Sequence, residues 1–331
     1  MIIETRAYAR AGLLGNPSDG YFGKTISLSV RNFGAHVTLY QSPELRIEPQ
    51  VEDTHFYKNI YQLVESVNLH GYYGGERLIK AAIKKFLEYC QSNQIKLENK
   101  NFTIRYHSNI PRQVGLAGSS AIITAALKAL LQFYQVEIPL EILPSLILSV
   151  ERDELGINAG LQDRVIQVYE GCVYMDFDKK LMLEKNHGLY ERIDPVLLPN
   201  LYLAYNTDLG KVSGRVLNDI RVRYENGDKL VIKTLARIAE LAEEGKQAIL
   251  ERNVDKLNQL LNENFDQRKK IMNISEKNLL MIDRARQCGA SAKFAGSGGS
   301  IIGIYQDNEM LDHLNLELNK LNVRVIKPFI V

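Results

Sequence analysis

The sequence predicts an α+β protein of two domains. Three observations lead there. A length of 331 residues suggests two domains, or one large one, at about 100–200 residues per domain. Apolar residues recur with period two in some stretches and at helical spacing in others, so strands and helices are both expected. Their order along the chain is mixed, without the regular alternation that builds a parallel sheet.

Residues 5–14 read as the first strand, closing on Leu13-Leu14 before the turn cluster Gly15-Asn16-Pro17-Ser18-Asp19-Gly20. Residues 33–41 alternate like a half-buried strand, with 45–49 as a short companion. Amphipathic helices are expected over 55–67 and 74–92; in the second, Leu78, Ala81, Ala82, Phe86 and Tyr89 fall near one face. A strand over 101–109 leads through a Gly-containing loop into a long apolar helix from about 119 to 134. A further helix over 138–155 carries Pro144, which predicts a kink or local break because proline lacks an amide proton. Strands follow at 171–177 and 200–206. The stretch 228–288 is helical and charge-rich, with a break around Asn273-Ile274-Ser275. The tail alternates again: strand 290–295, the turn Gly296-Ser297-Gly298-Gly299, strand 300–306, helix 308–321 and strand 323–329. The boundary is expected between about 178 and 198, giving a first domain of residues 1–185 and a second of 186–331.

Hydrophobic residues make up 45% and charged residues 24%, the balance of a globular chain and not of a disordered one. Lys+Arg number 41 against 39 Asp+Glu, a net charge of +2, which argues against nucleic acid as a partner. Cys90, Cys172 and Cys288 are far apart and form no CxxC pair, so no disulfide framework is expected. The histidines show no zinc-ligand spacing. No 18-residue uncharged apolar run is present, and residues 1–10 lack the apolar stretch of a signal peptide. The expectation is a reduced, cytoplasmic protein with no membrane partner.

The strongest chemical signal is Ile110-Pro111-Arg112-Gln113-Val114-Gly115-Leu116-Ala117-Gly118-Ser119-Ser120-Ala121, which follows a strand and opens a helix. Glycines let the backbone approach a ligand. The free N–H groups of the first helical turn, with the helix dipole behind them, suit phosphate. The two serines can cap the helix or offer oxygen to magnesium. No Gly-Lys-Ser/Thr follows, so this is not a Walker A loop, and by itself it also suits a glycine turn with a Ser N-cap. Gly160-Leu161-Gln162-Asp163-Arg164 places a carboxylate before an apolar stretch, where an ordinary N-cap is the alternative. Glu151 stands upstream near a helix end, where a solvated carboxylate is the alternative. The Gly296–Gly299 turn offers either further backbone donors or a β-turn that needs positive φ.

In their order along the chain these motifs resemble the GHMP small-molecule kinases. Ala9 to Asp19, Asn32-Phe33, Gly71-Tyr72-Tyr73-Gly74-Gly75, Ile110 to Ala121, Ala159 to Val165, Gly210-Lys211-Val212, Asn264 to Arg268 and Lys293 to Gly299 look like the plant-type glucuronokinases. The resemblance runs from about residue 5 to residue 305. It implies an N-terminal α+β domain with the phosphate loop, a C-terminal domain with a ferredoxin-like sheet, and an active site in the cleft between them. It also implies an ATP- and magnesium-dependent kinase that phosphorylates D-glucuronate at its anomeric hydroxyl, giving 1-phospho-glucuronate and ADP. The alternatives are a related acceptor (galactose, galacturonate or a heptose phosphate) or a sugar and ATP sensor without turnover.

By the same resemblance, the ATP triphosphate lies under Pro111, Arg112, Gln113, Val114, Gly115, Leu116, Ala117, Gly118, Ser119, Ser120 and Ala121. Most family members have Gly-Leu-Gly-Ser-Ser-Ala there. The extra residue after Leu116 makes Ser120 the first choice for magnesium and Ser119 the alternative, with Glu151 as the carboxylate ahead of Glu154. Asp163 matches the family's catalytic Asp, as a base or a positioning group, and Arg10 matches the basic residue close to it. Asp19 resembles the residue that binds sugar hydroxyls, and Gly298 and Arg164 join it as substrate candidates. A uronate carboxylate requires a cation or backbone donors, and Arg164, Arg31, Lys24, Lys211 and Arg268 are the candidates. Tyr21, Phe22, Tyr72 and Tyr73 are candidates for stacking on the sugar or adenine. No motif speaks to the oligomeric state.

Overall fold

One long strand organises the first half of the chain. In the computed structural model, which describes residues 1–48, 75–208 and 215–331, β1 (Ile2–Leu14) runs antiparallel along β2 (Lys24–Ser42). The other side of β2 is shared. β5 (Cys172–Asp176) pairs with Lys24–Leu28, and β4 (Asn101–Ser108) pairs with Ala35–Ser42. β3 (Arg46–Glu48) lies parallel to β4, and β6 (Leu189–Ile193) lies antiparallel to β5. Strand β2 begins well before the expected residue 33. Its pairing with β1 jumps from Tyr8–Gly34 to Ala9–Val30, so Arg31, Asn32 and Phe33 form a bulge that interrupts the alternation. Before the bulge, Thr25, Ser27 and Ser29 are buried along with their apolar neighbours, which hides the period of two.

Helix α2 (Gly118–Tyr134) packs against this sheet, and α1 (Gly75–Ser92) packs against α2. Helix α2 is apolar over most of its circumference, as a helix enclosed by its neighbours must be. In α3 (Leu143–Ser149) Pro144 sits in the first turn, where no amide is needed, so it starts the helix instead of kinking it. A π-helical turn, Val150–Glu154, continues from α3. Helix α4 (Gln162–Tyr169) feeds β5, and α5 (Lys179–Lys185), capped by Asp178, feeds β6. The first sheet therefore extends to Ile193, past the expected cut at 185, because β6 pairs with β5.

The second sheet has the order β10-β7-β9-β8, antiparallel throughout: β7 (Leu201–Asn206), β8 (Lys293–Phe294), β9 (Ser300–Ile304) and β10 (Val323–Ile326). Numbered within this half, the order is 4-1-3-2, with helices between the first and second strands and between the third and fourth. This is the expected ferredoxin-like arrangement. Among the described residues four helices join β7 to β8: α6 (Arg215–Glu225), α7 (Lys229–Leu250), α8 (Val254–Ile271) and α9 (Glu276–Gln287). The expected break at 273–275 separates α8 from α9. A second break, unforeseen, follows α7, where Arg252 adopts φ 53° and Asn253 caps α8. Helix α10 (Asn308–Asn319) crosses from β9 to β10.

The two sheets share one core, and the second sheet has another of its own around Tyr202, Phe294, Ile301 and Leu314. Leu241, Ala242 and Ile249 of α7 and Leu257, Leu260 and Leu261 of α8 join Leu13, Leu14 and Ile26 of the first sheet. All three cysteines are free and buried. Among the described residues no helix is long and apolar enough to cross a membrane. The expected helix over 55–67, the Gly71–Gly74 segment with Tyr72 and Tyr73, and Gly210-Lys211-Val212 lie outside the described residues.

Candidate active site

Strand β1 brings the two glycine turns together. Its outer edge donates from Arg10 N to Leu116 O at 3.1 Å and from Gly12 N to Ala295 O at 2.7 Å. The loop before α2 and the turn after β8 are thus fastened to one strand. Ser300 Oγ adds a bond to Val114 O at 2.6 Å. The turns are in contact: at Gly115, where φ is 71°, a Cβ atom would meet Gly298 O at 2.9 Å and Ser297 N at 3.0 Å. Only glycine suits that conformation and that spacing. Beside this junction lies a cleft of about 240 Å³, walled by the start of α2, the π-helical turn, the start of α4 and Gly296-Ser297.

A chain of charged side chains crosses the cleft. Arg10 is buried and donates through Nη1 to Gly115 O at 3.0 Å and Ala295 O at 2.8 Å, leaving Nη2 to donate to Asp163 Oδ2 at 2.6 Å. The same carboxylate oxygen lies 3.4 Å from Arg164 Nη1, which also donates to Gly160 O at 2.7 Å. Arg164 Nη2 donates to Glu151 Oε2, and Glu151 Oε1 accepts from Ser119 Oγ at 2.8 Å. Glu151 is fully buried, so its charge needs these partners. Burial, and then the neighbouring Arg10, lower the Arg164 pKa to about 9. Ala117 precedes α2 in the left-handed conformation, and the first-turn amides of the helix have no partners within it.

Asp19 faces this chain from the turn after β1. Its Oδ2 accepts from Gln162 N at 3.2 Å and its Oδ1 from Gln162 Nε2 at 3.0 Å; Gln162 Oε1 in turn accepts from Ser27 Oγ at 3.1 Å. Burial, and then the nearby Asp163 charge, push the Asp19 carboxyl up to about 6. Gly160 packs so closely on Asp19 that any Cβ there would collide with the carboxylate. Beneath the cleft, Lys293 Nζ donates to Gly12 O (2.7 Å), Asn16 Oδ1 (2.6 Å) and Phe294 O (2.8 Å), using all three ammonium protons. Burial and the charges of Arg268 and Arg10 hold its pKa well below the usual lysine range. Arg268 Nη1 donates to Gly296 O at 3.0 Å, and Asn264 Oδ1 accepts from Gly15 N at 2.8 Å.

Residues 77–171 match the GHMP kinases N terminal domain. Probable glucuronokinase 2 of Arabidopsis thaliana is 46% identical over 308 residues, 91% of this chain and 84% of that protein. Glucuronokinase 1 of the same plant is 45% identical over 306 residues, with the same shares covered. The chain belongs to the GHMP kinase family. It is a phosphotransferase with an alcohol group as acceptor. The crystal structure of Lactococcus lactis galactokinase complexed with galactose has a TM-score of 0.77 to it, covering 99% of this chain and 93% of that one, at 14% identity. That likeness is one of fold.

Of the residues singled out in the sequence of this GHMP kinase, Arg10, Asp19, Gly115, Ala117, Ser119, Glu151, Asp163 and Arg164 line the cleft together. Ser120 does not: its hydroxyl is buried and donates to Ala117 O at 3.1 Å, so the serine that meets Glu151 is Ser119. Val114, Leu116 and Ala121 are buried behind the loop, Gly118 opens α2, and Pro111, Arg112 and Gln113 lead away toward the surface. Gly298 touches Gly115 but does not line the cleft; Gly296 and Ser297 do. Glu154 pairs with Lys84 at 2.5 Å. Arg31 pairs with Glu170 at 2.9 Å and Lys24 with Glu243 at 2.6 Å, both off the cleft. Tyr21 lines the cleft and packs on Tyr224, with ring centroids 4.7 Å apart, whereas Phe22 is exposed outside it. Sequence reasoning gave no role to Gln162, Asn264, Lys293 or Arg221. The first three lie inside the motif segments; Arg221 carried no sequence signal.

Proposed function

We propose that this GHMP kinase is an ATP- and magnesium-dependent glucuronate 1-kinase, transferring the γ-phosphoryl group to the anomeric hydroxyl of D-glucuronate to give 1-phospho-glucuronate and ADP. The observation that carries the reading is the Asp163 carboxylate, 2.6 Å from the Arg10 guanidinium in a cleft rimmed by the start of α2. Phosphoryl transfer needs an acceptor oxygen held in line and a set of charges on the phosphate. Asp163 holds the anomeric hydroxyl and accepts its proton as the oxygen bonds to phosphorus and the bond to ADP breaks. Arg10, anchored by two backbone carbonyls, cannot drift from that carboxylate and places positive charge where phosphate charge accumulates. The α2 amides and Gly115 receive the triphosphate. Asp19, braced by Gln162, accepts from sugar hydroxyls.

The donor set at the α2 start fits magnesium. Ser119 Oγ and Glu151 Oε1 are adjacent hard oxygens, and one carboxylate with phosphate oxygens and waters is an ordinary magnesium shell. Ser119 and Glu151 would hold the ion, which when bound would neutralise phosphate charge. The buried free thiols fit a cytoplasmic enzyme. We divide the chain at the β6–β7 connection, into one unit on each sheet.

A coupled ADP-release assay with glucuronate, galacturonate, galactose, glucose and a heptose phosphate tests the reading. Glucuronate is expected to give the highest kcat/KM, with phosphate on the anomeric oxygen by NMR. A neutral hexose turned over far better would refute the substrate, and no ADP release with any sugar would refute the kinase.

A further inference from the structure

A uronate kinase must tell a carboxylate from the hydroxymethyl group of a neutral hexose. Resting on the glucuronate reading, we propose that Arg221 in α6 binds the substrate's carboxylate and sets the preference for a sugar acid. The cleft presents the carboxylates of Asp19, Glu151 and Asp163 and the guanidiniums of Arg10, Arg164 and Arg268, but all six are already bound within the protein, so holding a further carboxylate calls for a cation that is not. The described cations suggested by the sequence are committed elsewhere. Arg164 serves Glu151, Asp163 and Gly160; Arg268 is buried on Gly296 O and the Phe294 ring; Arg31 and Lys24 pair with Glu170 and Glu243 away from the cleft.

Arg164 and Arg268 also line the cleft, but both are buried and hydrogen-bonded, and Arg221 differs from them in that. It lines the cleft, is half-buried, and among the described residues has no hydrogen-bond or ion-pair partner. Tyr21, two residues after Asp19, lines the same cleft and packs on Tyr224 of the same helix as Arg221, so α6 stands beside the turn that carries Asp19. That helix is fixed there. Ile220 packs with Val231, Leu235 and Ile271, and the Tyr224 ring lies against Tyr21. A planar fork of donors on the cleft wall, with no partner among the described residues, matches a carboxylate in bidentate geometry.

The test is the ratio of kcat/KM for glucuronate to kcat/KM for its neutral amide, glucuronamide, in wild type, Arg221→Met and Arg221→Lys. The ratio is expected to fall about 10- to 100-fold in Arg221→Met, the size of a hydrogen bond to a charged group. Arg221→Lys keeps the charge but not the fork, and is expected to lie between the two. An unchanged ratio in Arg221→Met, or an equal loss on both substrates, overturns the role of Arg221 while leaving the glucuronate reading intact. If wild type itself prefers neutral sugars, the glucuronate reading fails and this inference with it. Calorimetric ATP titration of both variants shows that they are folded.

Discussion

Two guanidiniums face Asp163, whereas Asp19 meets the backbone and side-chain amides of Gln162. That difference separates their roles. Asp163→Asn keeps the shape of the site and removes the charge, so kcat is expected to fall by at least ~10²-fold with ATP affinity unchanged. Steady-state kinetics beside calorimetry checks this, and a kcat within a few-fold of wild type would remove Asp163 from the chemistry. Asp19 carries a pH dependence. With its carboxyl at about 6, it loses its charge as pH falls through that value, and kcat/KM for the sugar should fall with it. The stability effect has the opposite sign. Between about 4 and 6 the native carboxyl binds a proton that the unfolded chain, at its ordinary 3.8, has released, so stability falls as pH rises through that window. Asp19→Asn should therefore raise the Tm more at pH 7 than at pH 4 while weakening sugar binding; a Tm gain independent of pH would contradict it. The serine pair separates as well. Ser119→Ala should raise the magnesium concentration needed for half-maximal rate several-fold, and Ser120→Ala, which loses only a local bond to Ala117 O, should leave it unchanged. A magnesium titration of both variants decides between them.

At the scale of elements, the start of α4 and the turn after β1 act as one piece. Gly160 lies against the Asp19 carboxylate, and Gln162, two residues on, holds that carboxylate with two bonds. Gly160→Ala must therefore displace Asp19 or tilt the helix. The sugar KM is expected to rise about tenfold, a cost of ~1.4 kcal/mol, with ATP KM little changed. Equal shifts in both would mean that the helix had moved as a whole. The family resemblance put Asp19 and Asp163 at one site, but the contact of Asp19 with Gly160 and Gln162 joins residues far apart in sequence, and local pattern does not encode it. The extent of β2 was hidden for a related reason: the bulge at Arg31–Phe33 and the buried Thr25, Ser27 and Ser29 break the alternation that marks a strand.

Across the whole molecule, helices of the second half finish the core of the first. At Gly245 in α7 a Cβ would collide with Leu14 and lie 3.6 Å from Ile26 Cδ1, so α7 rests directly on β1 and β2. Each large apolar side chain uncovered there costs ~1.5–3 kcal/mol, comparable with a good part of a domain's net stability. Residues 1–193 expressed alone are expected to show no cooperative thermal transition, while the full chain unfolds in one. Calorimetry of both would check this, and a cooperative transition in the fragment would show that the first sheet carries a complete core. The sequence alone determined the glycine turns, the start of α2, the order of strands and helix in the tail and the family, because each is written in neighbouring residues. Tertiary structure decided that Ser119 and not Ser120 meets Glu151, that Arg164 is spent on that same carboxylate, and that Arg221 reaches the cleft. Those facts depend on which distant side chains fill the space around a charge, and packing, not local pattern, sets that.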